Sequence, residues 1–187
     1  MSQKNNIALI GLMGSGKTSV SKVISKQLNF VFVDIDEIIE KQEGQKISDI
    51  FKTKGEGYFR NLEVRTIKYF SKLNNQIIST GGGAVENMLN IKNLQANSLI
   101  FYLYAPSEVL YERLLNEIAK RPLLHKDNPQ LILSNLLRTR EPFYMLADYK
   151  IDTKNKNINQ TAEEIIKTYS NVQNQNRIPS DLKEFDT

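Results

Sequence analysis

A three-layer α/β fold around a five-stranded parallel sheet is what this sequence predicts, and three observations carry that expectation. Short β-branched or aromatic runs alternate with longer stretches of helical period along most of the 187 residues, the rhythm of successive βαβ units. Three of the runs are apolar at nearly every position, as strands covered on both faces must be. The first run leads directly into Gly11-Leu12-Met13-Gly14-Ser15-Gly16-Lys17-Thr18, the strand, glycine loop and helix order of a phosphate-binding turn.

The elements follow in chain order. Residues 7–10, Ile-Ala-Leu-Ile, form the first strand, and the glycine loop hands over to a helix over 17–28. Residues 30–33 make the second strand, with a short helix over 36–42 behind it. A longer helical period covers 57–73, and the third strand covers 76–79. The fourth strand, 99–104, reads Leu-Ile-Phe-Tyr-Leu-Tyr. Helices over 106–119 and 129–147 come next, and Ser107 is expected to cap the first of them, with Glu108 favouring its dipole. A strand over 149–151 and a helix over 161–172 complete the alternation. Residues 1–170 are thus one domain, while 171–187 turn polar and Asn-rich without a sustained apolar period, which predicts a frayed tail.

Composition bounds the class. Charged residues are 25% and hydrophobic residues 40% of the chain, an ordinary globular balance. The net charge is +4, with Lys and Arg spread along the chain, so small polyanions explain it and nucleic acid is not expected as a partner. The sequence has no cysteine, which removes disulfides, thiolate metal sites and thiol nucleophiles. The first six residues are polar and the apolar run behind them is cut short by the glycine loop, so neither a secretory segment nor a membrane span is expected. The expected location is the cytoplasm, and the expected state a monomer.

The glycine loop carries the clearest chemistry. Glycines let successive backbone N–H groups point inward, and the helix that follows brings its positive end to the same place. Gly14, Ser15, Gly16, Lys17, Thr18 and Ser19 are the candidate ATP-binding residues, with Lys17 neutralising the outer phosphates and the Thr18 hydroxyl a ligand for Mg²⁺. The alternative is a glycine-rich turn with no ligand.

In an open α/β sheet, ligands sit beyond the carboxyl ends of the strands. After the second strand stand Asp34 and Asp36, two carboxylates at period two, which in extended chain face one side; either can instead cap the helix that follows. After the third strand stands Ser79-Thr80-Gly81-Gly82-Gly83, where the backbone can approach a ligand closely; the alternative is a flexible turn.

Those segments, with Ile50-Phe51, Gly55-Glu56-Gly57-Tyr58-Phe59-Arg60, Glu63, Arg121-Pro122-Leu123-Leu124 and Arg140-Glu141-Pro142-Phe143-Tyr144 in that order, resemble the shikimate kinases over nearly the whole chain. The resemblance implies a P-loop kinase domain over 1–170, with a lid and a substrate-binding subregion, that moves the γ-phosphoryl group of ATP to the 3-hydroxyl of shikimate. It implies that Asp36 holds the substrate hydroxyls and receives the proton, and that Asp34 assists Mg²⁺. It implies that Arg60 and Arg140 grip the substrate carboxylate, with Gly82 adding a backbone N–H and Glu63 orienting Arg60. Without it, Arg60 and Glu63 read equally as an exposed i, i+3 pair. Phe51 and Phe59 are expected to wall the pocket. Arg121, in the segment that resembles the lid, would reach the transferring phosphate; its plain alternative is a solvated loop cation. Arg113 is similar to an arginine near adenine but stands one residue further from Arg121 than the family pattern, and it reads equally as a solvated helix cation. His125, the only histidine, has no assigned role. Two rivals define the discriminating features: a nucleoside-monophosphate or sugar-acid kinase, and a nucleotide switch. The chain shows neither the Asp-Gly-x-Pro-Arg segment of the adenylate-kinase-like enzymes nor Asn-Lys-x-Asp, since Asn155-Lys156-Asn157-Ile158 lacks the aspartate.

Overall fold

The computed structural model describes residues 4–115 and 128–177. Its strands are β1 (Asn6–Ile10), β2 (Val31–Asp34), β3 (Gln76–Ser79), β4 (Ser98–Tyr104) and β5 (Tyr149–Asp152). They pair in parallel in the order β2-β3-β1-β4-β5. The register sets Ile7 opposite Ile77 and Leu99, and Asp34 opposite Ser79. Central β1 is buried at every residue, whereas the outer strands β2 and β5 are partly exposed. Buried β1 and β4 are apolar at most positions, as strands covered on both faces must be, whereas β3 stays buried with Gln76 and Ser79 at its ends.

Eight α-helices pack on the sheet in the described residues: α1 (Lys17–Leu28), α2 (Ile35–Glu43), α3 (Ile47–Lys54), α4 (Glu56–Ser71), α5 (Met88–Gln95), α6 (Ser107–Leu114), α7 (Pro129–Tyr144) and α8 (Ile158–Arg177). Successive strand side chains alternate between faces, and the core divides accordingly. Ala8, Ile10, Ile78, Ile100 and Tyr102 pack with Ile39, Ile67, Leu94, Leu110 and Leu133 from α2, α4, α5, α6 and α7. Ile7, Leu9, Ile77, Phe101 and Leu103 pack on the other face with Ile24 of α1 and Ile165 of α8. The expected three layers are present, with all five expected strands within a residue at each end. No helix of the described residues is long and apolar enough to cross a membrane.

Four local expectations are corrected. Helices α3 and α5 are additions: each has only eight residues, α3 burying Ile50 and α5 burying Asn90, Ile91 and Leu94, so each is too short for a helical period to register. Ser107 is not a cap, because Pro106 occupies the cap position and the Ser107 hydroxyl donates to Glu108 Oε1 at 3.2 Å. Helix α8 starts at Ile158, where Asn157 and Gln160 exchange reciprocal side chain to backbone bonds, each 2.9 Å, a capping-box arrangement. It continues past residue 171 to Arg177, anchored by Val172 against the core and by Gln173, whose Nε2 donates to the Lys4 carbonyl.

Candidate active site

The cleft lies at the carboxyl ends of β1, β2 and β3, where the strand order places the triple-glycine loop after β3 between the other two. Gly11 leaves β1 with φ 144°, and a Cβ there would lie 2.6 Å from the Leu103 carbonyl oxygen. Only glycine lets the loop lie this close to β4. Helix α1 begins after Gly16 with no side-chain cap, so its first N–H groups are available to an anion. The Lys17 ammonium donates to the Gly11 and Leu12 carbonyls at 2.8 and 3.0 Å, which holds its charge over the loop. Gly14, Ser15, Gly16, Lys17, Thr18 and Ser19 all line one open cavity of about 1020 Å³.

Asp34 and Asp36 line the same cavity, by a different route from extended chain. Asp34 ends β2 and caps α2, its Oδ1 accepting from the Glu37 N–H at 3.3 Å. Ile35 is fully buried, the chain turns helical there, and Asp36 sits in the first turn of α2. Capping therefore falls to Asp34 and leaves Asp36 aimed inward. Thr18 Oγ1 donates to Asp34 Oδ2 at 3.0 Å. Asp36 Oδ1 is buried with no hydrogen-bond partner, and a Cβ on Gly81 would come within 2.8 Å of it. Burial, then the neighbouring Asp34 charge, pushes the Asp36 carboxyl from 3.8 up to about 6, with Lys17 pulling the other way. An ordinary aspartate would be fully ionised well below that pH.

The triple glycine also receives the two arginines. A Cβ on Gly83 would lie 2.9 Å from Arg60 Nη2 and 3.3 Å from Arg140 Nη2, so α4 and α7 deliver their guanidinium groups to one point. Arg60 is no free surface cation: Nη1 donates to Glu63 Oε2 at 3.1 Å, and Nη2 to Glu56 Oε1 at 2.9 Å. Glu63 is fully buried and also accepts from Asn90 Nδ2 at 3.4 Å. Burial pushes its carboxyl from 4.5 up to about 7, and Arg60 draws it back. Phe51 and Phe59 meet edge to face at 5.0 Å, and the Arg60 guanidinium lies 5.3 Å from the Phe59 ring centre, where the ring face attracts it. Gly82 lines the cavity, and its carbonyl accepts from the Tyr144 hydroxyl at 2.6 Å.

At the other end of the cleft Arg113 donates from Nη1 to Thr153 Oγ1 at 3.0 Å and from Nη2 to the Thr153 carbonyl at 2.5 Å, and it lines the cavity. Its side chain is exposed but tethered at this one residue. Arg121 and His125 lie outside the described residues. Four residues here escaped sequence reasoning as contributors: Glu86, which accepts from Arg140 Nη2 at 3.1 Å, Asn90, Tyr144 and Thr153. Each acts through a partner distant in the chain, so no local pattern announces it.

Known proteins resemble this chain over most of its length. A family model described as shikimate kinase matches residues 13–170. A shikimate kinase of Thermodesulfovibrio yellowstonii is 46% identical over 169 residues, covering 90% of this chain and 97% of the relative. One of Caldanaerobacter subterraneus is 44% identical over 164 residues, covering 88% and 95%. Among solved structures, the shikimate kinase of Acinetobacter baumannii in complex with shikimate superposes with a TM-score of 0.81 at 32% identity, covering 95% of this chain and 96% of that one. A gluconokinase of Sinorhizobium meliloti, with a TM-score of 0.62 at 16% identity over 96% and 99% of the two chains, shares the fold. Since the family model and relatives of more than two-fifths identity span both the phosphate loop and the arginine pocket, this chain belongs to the shikimate kinase family.

Proposed function

We propose that Gly81-Gly82-Gly83 is the hinge between two chemistries of a shikimate kinase, which moves the γ-phosphoryl group of ATP to the 3-hydroxyl of shikimate. The carrying observation is that Asp36 faces Gly81 while Arg60 and Arg140 face Gly83. The triple glycine is a turn closed by the Ala84 N–H on the Gly81 carbonyl at 3.2 Å, so it offers two nearby stations, one for the carboxylate of a small ring and one for its hydroxyls. Arg60 and Arg140 take the carboxylate by charge-assisted hydrogen bonds, Gly82 adds a backbone N–H, and Asp36 aligns the hydroxyls.

The fit of Mg²⁺ follows from the donors. Thr18 Oγ1 and Asp34 Oδ2 are adjacent oxygens in the cleft, and no group of three or more acidic or histidine side chains able to hold a metal occurs among the described residues. Such a sparse oxygen set suits an ion that keeps most of its ligands as water and phosphate. When bound, Mg²⁺ would supply charge neutralisation at the phosphate oxygens, and Thr18 and Asp34 are the residues that would hold it.

In the transfer, the 3-hydroxyl oxygen bonds to the γ-phosphorus as the bond to the departing ADP oxygen breaks, and the hydroxyl proton passes to an Asp36 carboxylate oxygen. A loose transition state asks little of the base, so alignment and charge balance supply most of the acceleration. Lys17 and the α1 N–H groups hold the phosphates in line, and Arg121, outside the described residues, is the cation that the family resemblance assigns to the transferring group. The enzyme works as a monomer in the cytoplasm. The test is ADP release from Mg²⁺-ATP with shikimate, quinate, gluconate, AMP or no acceptor. Shikimate-dependent release with shikimate 3-phosphate as product is expected; release driven by gluconate or AMP overturns the acceptor assignment, and equal release without acceptor overturns the kinase reading.

A further inference from the structure

Arg140 is nearly buried, with 7% of its surface exposed, and it uses only part of its hydrogen-bonding edge. A guanidinium meets a carboxylate best with Nε–H and the adjacent Nη–H together, one oxygen to each. Here Nη2 donates to Glu86 Oε2 at 3.1 Å, while Nε is buried and has no hydrogen-bond partner. The Glu86 side chain is 44% exposed and lies at the end of the 3-10 turn Ala84–Glu86 that leaves the triple glycine, free to swing toward water. Its Oε2 stands 3.2 Å from the Cβ position of Gly83, the point also approached by Arg60 Nη2 and Arg140 Nη2. One acidic oxygen of the protein thus sits inside the arginine pocket.

We propose that Glu86 is a resident stand-in for the substrate carboxylate: it occupies one prong of Arg140 until shikimate takes both prongs and expels it, and this competition sets the affinity for shikimate. The inference rests on the reading that Arg60 and Arg140 hold that carboxylate. Two carboxylates at one fork repel, so the half-exposed one leaves, and Glu86 acts on binding rather than on transfer. A purely structural Glu86, holding Arg140 in place for the substrate, makes the opposite demand on affinity.

Steady-state kinetics of Glu86→Gln and Glu86→Ala, with shikimate and with its uncharged methyl ester, separate the two. The expected result is a KM for shikimate lowered about 2- to 5-fold in both variants, the coupling of a partly exposed ion pair, with the KM for ATP held within about twofold. No such gain is expected with the ester. A shikimate KM that rises or stays at the wild-type value in both variants overturns the proposal, as does an equal gain on the ester. Arg140→Lys keeps the two levels apart: if it leaves the shikimate KM unchanged, the carboxylate reading itself fails, whereas a raised KM there beside unmoved Glu86 variants retires the Glu86 exchange alone.

Discussion

The phosphate loop and the acceptor pocket meet at Asp36, Gly81 and Gly82, which line the loop's cavity, but are made of different material. The loop is backbone: positive-φ glycines, an uncapped helix start and a lysine folded over the carbonyls of its own segment, all within eight consecutive residues. The acceptor pocket is side chain: Asp36, Arg60 and Arg140 come from three helices and meet only at the triple glycine. Backbone sites tolerate little because nothing can rotate away, whereas side-chain sites are held by neighbours, here Glu63 and Glu56 on Arg60. Variants should therefore divide into those that damage nucleotide handling and those that damage only acceptor handling.

The sharpest break in that division comes from Asp36→Asn. Loss of a positioned proton acceptor is expected to lower kcat about 10²- to 10⁴-fold, with ADP affinity by calorimetry unchanged; near-normal turnover at saturating shikimate removes Asp36 from its role. Next is Gly81→Ala, whose Cβ would stand 2.8 Å from Asp36 Oδ1. Displacing the carboxylate is expected to lower kcat by on the order of 10²-fold without weakening ADP, and an unchanged kcat would show that the close approach is dispensable.

The pH dependence sharpens the same comparison. Asp36 accepts a proton only when ionised, so kcat/KM for shikimate is expected to fall about tenfold per unit below pH about 6, and Asp36→Asn should lose that limb. Stability runs the other way. An acid whose pKa is raised on folding keeps its proton longer in the folded chain, so stability falls as pH rises from 3.8 to about 6 and the cost is then constant. At pH 8, where Asn carries no charge, Asp36→Asn is expected to resist urea better than wild type by about 3 kcal/mol, and to show no gain at pH 3; a variant less stable at pH 8 contradicts the buried, poorly compensated carboxylate. The smallest effect expected is that of Glu63→Gln, a several-fold rise in the shikimate KM, because Glu56 still holds Arg60.

The same contrast explains what the sequence made legible. Local features were readable from residues alone: the glycine loop, Lys17, Thr18, the apolar strands and the three layers. The acceptor pocket was not. Arg60 with Glu63 has the spacing of any exposed helix pair, and only burial of Glu63 and the approach of both arginines to Gly83 distinguish it. Asp34 and Asp36 were readable as a pair, but their division of labour was not, since it depends on Ile35 entering the core and starting α2 at that point. Glu86 and Tyr144 act on Arg140 and Gly82 across long stretches of chain, beyond the reach of any periodicity. Helices α3 and α5, eight residues each, were too short to show.

The most direct measurement of this division is calorimetric titration of Arg140→Lys with shikimate and, separately, with Mg²⁺-ADP. Replacing a bidentate guanidinium by a point charge is expected to weaken shikimate about 10- to 100-fold, the worth of a charged hydrogen bond, while ADP binds as to wild type. Weakening of both ligands alike, or of ADP alone, would contradict an acceptor pocket assembled independently of the phosphate loop.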